Sequence, residues 1–164
     1  MPLKINIDVD TASKRWNAAD IRAIKRGINT ILEQEIHKIK RKIQVSVLLT
    51  TNEEVQTLNK KWRDKNKPTN ILSFPSNALQ NLSDYPAELP LGDLVLAFET
   101  CADEAKAMNI KFAHHITHLA IHGTLHLLGH DHETDAAHEA MMKSELEAMA
   151  QLGLANPYPI MDNR

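Results

Sequence analysis

The stretch HGTLHLLGHDH, residues 122–132, restricts what this chain can become more than any other part of it. It ends an apolar, histidine-rich run, from about Lys111 to Leu128, that reads as one helix. Gly129 stops that helix, because glycine takes the positive φ of a helix C-terminal turn without steric cost. Residues four apart on a helix share a face. His122 and His126 can therefore aim at one point, and the turn at Gly129 can bring His132 back toward it. Three neutral imidazoles suit Zn²⁺ and leave a fourth position for water, the arrangement of a catalytic metal site and not of a structural one. The fold must then present a metal site at the end of a helix in the C-terminal half.

The remaining histidines read more plainly. His115 and His118 continue the stripe of His122 and His126, so His118 and His122 form a competing helical pair. Only His122 and His126 lie a short turn from His132. His114 and His138 read as surface or supporting groups, and His37 as decoration of an earlier helix. Asp131 either fixes the tautomer of a ligand imidazole or is a solvated turn residue. Gly123 stands where the zinc-protease motif HExxH has its glutamate base. Peptide hydrolysis by that route lacks its base, whereas a metal that lowers the pKa of bound water to about 7 can still supply a nucleophile.

Around this motif the chain alternates strand and helix signals. Residues 3–9 and 43–49 read as strands, and residues 18–39 as an amphipathic helix with Ile21, Ile24, Ile28, Ile31, Leu32 and Ile36 on one side. Thr51 and Glu54 form a capping box for a helix to about Arg63, with Lys67-Pro68 as its stop. Residues 70–74 and 92–98 are two more strands, separated by a polar loop over 76–91. Helices follow over 99–108, 111–128 and 135–152, the last capped by Thr134 and ended by Gly153. This order predicts an α+β fold: one domain over residues 1–164, with a mixed four-stranded sheet packed by about five helices.

Apolar residues make up 43% and charged residues 24% of the chain, which places it among folded globular proteins. A single cysteine, Cys101, can make neither an internal disulfide nor a thiolate zinc site, and fits a reducing cytoplasm. No apolar run approaches the roughly 20 residues that span a bilayer, and the N-terminus lacks the apolar segment of a signal peptide. Cytoplasmic location without membrane partners is expected. Charge is unevenly placed: residues 1–68 carry 15 Lys+Arg against 8 Asp+Glu, and residues 69–164 carry 4 against 13. Such asymmetry suggests an anionic partner, although charge alone favours the two halves pairing with each other.

The histidine motif resembles the HGxLHLxGYDH signature of the endoribonuclease YbeY family. LNKKWRDKNKPTNILSFP at 58–75, LGDLVLA at 91–97 and LGLANPY at 152–158 resemble further segments of that family, in the same order. The resemblance implies metal ligands at His122, His126 and His132 and a functional arginine at Arg63. It implies a metal-dependent, single-strand-specific endoribonuclease acting in 16S rRNA 3′-end maturation and ribosome quality control. The cofactor would be one Zn²⁺, although other divalent transition metals also suit three histidines. RNA in the ribosome or its 30S subunit would be the partner, with ribosomal proteins as further candidates. One position departs from the pattern: His130 stands where the family has Tyr, and a histidine there could be an extra ligand or an acid/base group.

Arg63 suits the implied chemistry, because a guanidinium can hold two oxygens of a phosphate while charge builds on them. Lys60, Lys61, Lys65 and Lys67 surround it with positive charge, as a phosphate backbone requires. Trp62 among them reads as a core residue in preference to a stacking platform. Two other readings use the same residues: a metalloprotease-like hydrolase, and a non-catalytic ribosome assembly factor with a structural metal.

Overall fold

The computed structural model describes residues 3–158. Four strands, β1 (Ile5–Thr11), β2 (Lys42–Thr50), β3 (Ile71–Pro75) and β4 (Glu88–Ala97), form one sheet in the order β1-β2-β4-β3. β1 and β4 run parallel to β2, and β3 runs antiparallel to β4, so the sheet is mixed. Five helices complete the α+β architecture: α1 (Ala18–Ile36), α2 (Asn52–Arg63), α3 (Phe98–Ala107), α4 (Phe112–Leu127) and α5 (Asp135–Gln151).

Helix α1 is set by a reciprocal cap. The Asn17 side chain accepts from the Asp20 amide at 2.9 Å, and the Asp20 carboxylate accepts from the Asn17 amide at 3.0 Å. Its Ile24, Ile28 and Leu32 are fully buried against Ile43, Val45 and Leu49 of β2 and Leu94 and Leu96 of β4. Helix α4 lies against α1 at Gly27, where a Cβ would sit 2.9 Å from the Thr117 carbonyl oxygen. That close approach seats α4 deep in the molecule, and only one of its sides opens to solvent.

Several sequence expectations change in detail. The expected loop over 76–91 holds two 3₁₀ turns, Ala78–Gln80 and Leu82–Asp84, and β4 begins at Glu88, ahead of Gly92. Pro90 fits within β4 because β3 pairs only as far as Pro75 with Gly92, so the missing N–H breaks no bond with β3. The Thr51 cap forms only one arm of its box: Thr51 accepts from the Glu54 amide at 3.3 Å, while the Glu54 carboxylate is taken by the Thr50 hydroxyl at 2.6 Å. α2 stops at Asp64, which adopts a left-handed φ of 55°, before Lys67-Pro68 is reached.

Trp62 is not a core residue. It is 63% exposed, with the Lys61 ammonium 5.0 Å from its ring centroid. The buried positions of α2 are Val55 and Asn59; Trp62 shares their side of the helix but sits in the last turn, where residues 60–63 are all exposed. Nor do the oppositely charged halves clasp each other. Among the described residues one Lys or Arg lies within 4.0 Å of a carboxylate, Lys42 with Glu88, and both are exposed. The positive charge around Arg63 is left facing solvent.

Candidate metal centre

One side of α4 carries the buried His115 and His118 and the half-buried His122 and His126, and all four line one cleft of about 970 Å³. Helix α4 ends as the sequence requires. Gly129 has φ of 100°, its amide donates to the His126 carbonyl, and the His130 amide donates back to Leu125, each at 3.0 Å. The turn returns His132 to the cleft. The ring nitrogens of His122, His126 and His132 come within 4.8 Å of one another. The His132 ring stacks on that of His122, with centroids 5.2 Å apart and planes 18° from parallel.

The hydrogen bonds fix which nitrogens face the centre. His126 Nδ1 lies 2.9 Å from the His130 carbonyl oxygen, which can only accept, so Nδ1 carries the proton. His122 Nδ1 likewise donates to the Glu145 carboxylate. Both Nε2 lone pairs then point at one place, 3.2 Å apart. Two imidazoles on a tetrahedral Zn²⁺ at about 2.05 Å would place their nitrogens about 3.3 Å apart. The donor set therefore fits the implied metal. Burial, then the neighbouring imidazoles, lower the pKa of His126, and burial followed by His122 lowers that of His132. Both shifts favour the neutral, metal-binding form.

A second ligand-like group, His118, His122 and Glu145, lies behind the first. It is a hydrogen-bond network, since direct contact between His122 and Glu145 leaves no room for an ion between them. Glu145 is 1% exposed. It also accepts from the Tyr158 hydroxyl at 2.5 Å, and His118 Nε2 lies 3.5 Å from it. Burial works to raise the Glu145 pKa, but hydrogen bonds from His118 and His122 overcome it and bring the value to about 2. Burial and the adjacent carboxylate push the Tyr158 phenol up.

Other histidines have separate partners. His130 turns its ring to Glu35 of α1 at 3.2 Å and contributes its carbonyl to the site, so its imidazole is not among the grouped ligand atoms. His138 Nδ1 lies 3.3 Å from His132 Nδ1. Asp131 accepts from the Glu133 amide at 3.1 Å, closing a turn. His115 pairs with Glu104 of α3 at 2.9 Å, and His114 approaches the Ala155 carbonyl at 3.2 Å. Hydrogen bonds from His115 and Asn70 outweigh burial and lower the Glu104 pKa. Arg63, at the end of α2, lines the same cleft as the trio and has no ion-pair partner among the described residues.

Gly123 is explained by packing. A Cβ there would meet Ile71 Cδ1 at 2.7 Å, Leu94 Cδ2 at 3.0 Å and the Ser73 hydroxyl at 3.1 Å. That hydroxyl donates to the Gly123 carbonyl at 3.1 Å. The position presses on the sheet, so a glutamate side chain there has no room unless Ile71, Ser73 or Leu94 gives way.

Sequence reasoning missed Glu145, Tyr158, Glu104 and Asn70. A signal for Glu145 existed: it sits four residues from both Met141 and Met149, on the buried side of α5, where a lone carboxylate needs buried partners.

The chain matches the family model described as endoribonuclease YbeY over residues 8–153. It is 44% identical over 161 residues to a protein of Azorhizobium caulinodans named endoribonuclease YbeY, covering 98% of each chain. It is 50% identical over 121 residues to the so-named protein of Rhodopseudomonas palustris strain BisB18, covering 73% of this chain and 71% of that one. The solution structure of a Thermotoga maritima protein shares the fold with a TM-score of 0.56 at 22% identity, over 93% of this chain and 99% of that one. The sequence match, spread over the whole histidine site and the sheet beneath it, makes this chain a member of the endoribonuclease YbeY family.

Proposed function

We propose that this protein, with residues 1–164 acting as a single domain, is a zinc-dependent endoribonuclease specific for single-stranded RNA. Its role would be in 16S rRNA 3′-end maturation and ribosome quality control in the cytoplasm. The observation that carries this reading is the convergence of His122, His126 and His132 in a cleft that Arg63 also lines. The family's printed name supports the reaction class.

In this reading the three histidines hold one Zn²⁺, with Nε2 of His122 and His126 presented by the hydrogen bonds on their far sides. Zinc held there would lower the pKa of a bound water to about 7 and so supply the attacking group. Arg63, without a carboxylate partner among the described residues, binds non-bridging oxygens of the scissile phosphate and stabilises the charge that builds on them. Lys60, Lys61 and exposed Trp62 on the same helix extend the contact along the strand. Ribosomal RNA, within the ribosome or its 30S subunit, is the substrate, with ribosomal proteins as neighbours. No described helix is long and apolar enough to cross a membrane.

A protease-like reading is disfavoured because Gly123 has no room for the missing glutamate. The assembly-factor reading shares every surface feature and separates only by assay. Cleavage of a labelled single-stranded RNA should be lost on chelation, return with zinc and be absent in His126→Ala. Equal cleavage by wild type and His126→Ala would refute the proposal.

A further inference from the structure

The cleft continues past the histidine trio, and its far end is built differently. Glu104 stands there with 37% of its side chain exposed, beside the apolar side chains of Met108, Ile110 and Leu119. The carboxylate is held from behind. Its Oε1 accepts from His115 at 2.9 Å and from the Asn70 amide at 3.0 Å. Its Oε2 has only a long contact to the same Asn70 nitrogen, at 3.3 Å. A carboxylate oxygen accepts about two hydrogen bonds, so Oε1 is filled and Oε2 keeps capacity. Asn70 is itself fixed, because its Oδ1 accepts from the Ile71 amide at 2.6 Å.

His115 and His122 are seven residues apart on α4, about 10 Å of helix rise. Glu104 therefore lies beyond the trio, where the neighbouring nucleotide of an extended strand would run. A fixed negative charge repels phosphate, so the backbone must pass on the Arg63 side. An apolar wall with one oriented acceptor suits the edge of an unstacked base.

We propose that this end of the cleft is a nucleobase subsite. In it, Glu104 Oε2 accepts from the exocyclic amino group of adenine or cytosine and disfavours uracil, which carries a carbonyl oxygen where cytosine carries that amino group. A carboxylate that accepts from the cytosine amino group is a known form of base readout. The inference rests on the ribonuclease reading above, and nothing in the metal site requires it.

The test uses zinc-loaded protein and three labelled single-stranded RNAs of equal length, oligo-A, oligo-C and oligo-U, with anisotropy for binding and gel analysis for cleavage. Wild type should bind oligo-A and oligo-C about tenfold more tightly than oligo-U, the scale of one hydrogen bond to a charged acceptor. Glu104→Gln keeps an acceptor for His115 and Asn70 but turns an N–H toward the base. It should shrink that ratio to about twofold or invert it, with an unchanged circular dichroism spectrum. Glu104→Asp, which keeps the charge, should retain the direction of preference. Equal binding of the three RNAs by wild type, or the same ratio in Glu104→Gln, overturns the subsite. If wild type shows the preference but cuts no RNA, the nuclease reading falls and the subsite stands. If it cuts and binds all three alike, the subsite falls and the nuclease reading stands.

Discussion

Glu145 of α5 holds Nδ1 of His122 of α4, and so determines which nitrogen His122 offers to the cleft. A buried carboxylate behind a histidine raises the basicity of the other ring nitrogen and fixes the ring's orientation. Glu145→Gln should weaken zinc binding about 10-fold to 100-fold, the usual loss when such a partner is changed. Competition with a chromogenic chelator measures it. Unchanged affinity would reduce Glu145 to a packing role.

Arg63 predicts a different pattern. Arg63→Ala should bind zinc as wild type does, yet lose cleavage by about 10²-fold to 10³-fold, as when a preorganised charge donor is removed from a reacting oxygen. Arg63→Lys should recover little, since an ammonium cannot grip two oxygens in parallel. Zinc stoichiometry and single-turnover cleavage, measured on the same preparations, separate the two effects.

Trp62 offers a cheap check of whether α2 meets RNA. Its ring is exposed, so Trp62→Ala should change stability by less than about 0.5 kcal/mol. Loss of one stacked base should weaken single-stranded RNA binding by about 1–3 kcal/mol. A large fall in melting temperature would show instead that the ring is packed in solution.

Gly123→Glu recreates the spacing of a zinc protease and should fail as a fold. It drives a carboxylate against Ile71 and Leu94, at a cost of roughly 3 kcal/mol or more from overpacking and an unpaired buried charge. Urea denaturation reports the loss, and a stable variant would show that α4 can lift from the sheet.

Glu104 gives a pH signature that needs neither metal nor RNA. Burial raises its pKa, but bonds from His115 and Asn70 outweigh this and leave it below the ordinary value of 4.5. The folded state then binds fewer protons than the unfolded state, so this stabilisation is complete above about pH 4.5 and fades as pH falls through the lowered value. Thermal midpoints of wild type and Glu104→Gln should differ most above pH 4.5 and converge as pH falls through the lowered value. A constant gap across that range would remove the linkage.

The sequence made the helical pair and its turn legible because both are local. His122 and His126 are one turn apart, and Gly129 announces its own backbone conformation. Strand and helix order followed from periodicity, and the mixed sheet from that order. What stayed hidden depends on contacts distant in the chain. Glu145 reaches His122 across 23 residues, and Glu104 reaches Asn70 across 34. Trp62 was misread because a large aromatic in phase with Val55 and Asn59 suggests a core, while its last turn of α2 is left exposed. The start of β4 was missed because Pro90 looks like a strand breaker until the short reach of β3 is known.

The turn at Gly129 divides the histidine trio by exposure. His122 and His126 are anchored on a buried helix and tied on their far sides, so they wait in position at no cost in disorder. His132 sits after the turn, exposed, with another histidine as its hydrogen-bonding neighbour. If the trio holds an ion, its capture and escape would be unequal events, with two histidines fixed beforehand and the third, exposed, completing the set. The lifetime of the loaded state would be governed by how often the segment around His132 swings open, a clock that backbone hydrogen exchange over residues 130–134 can read.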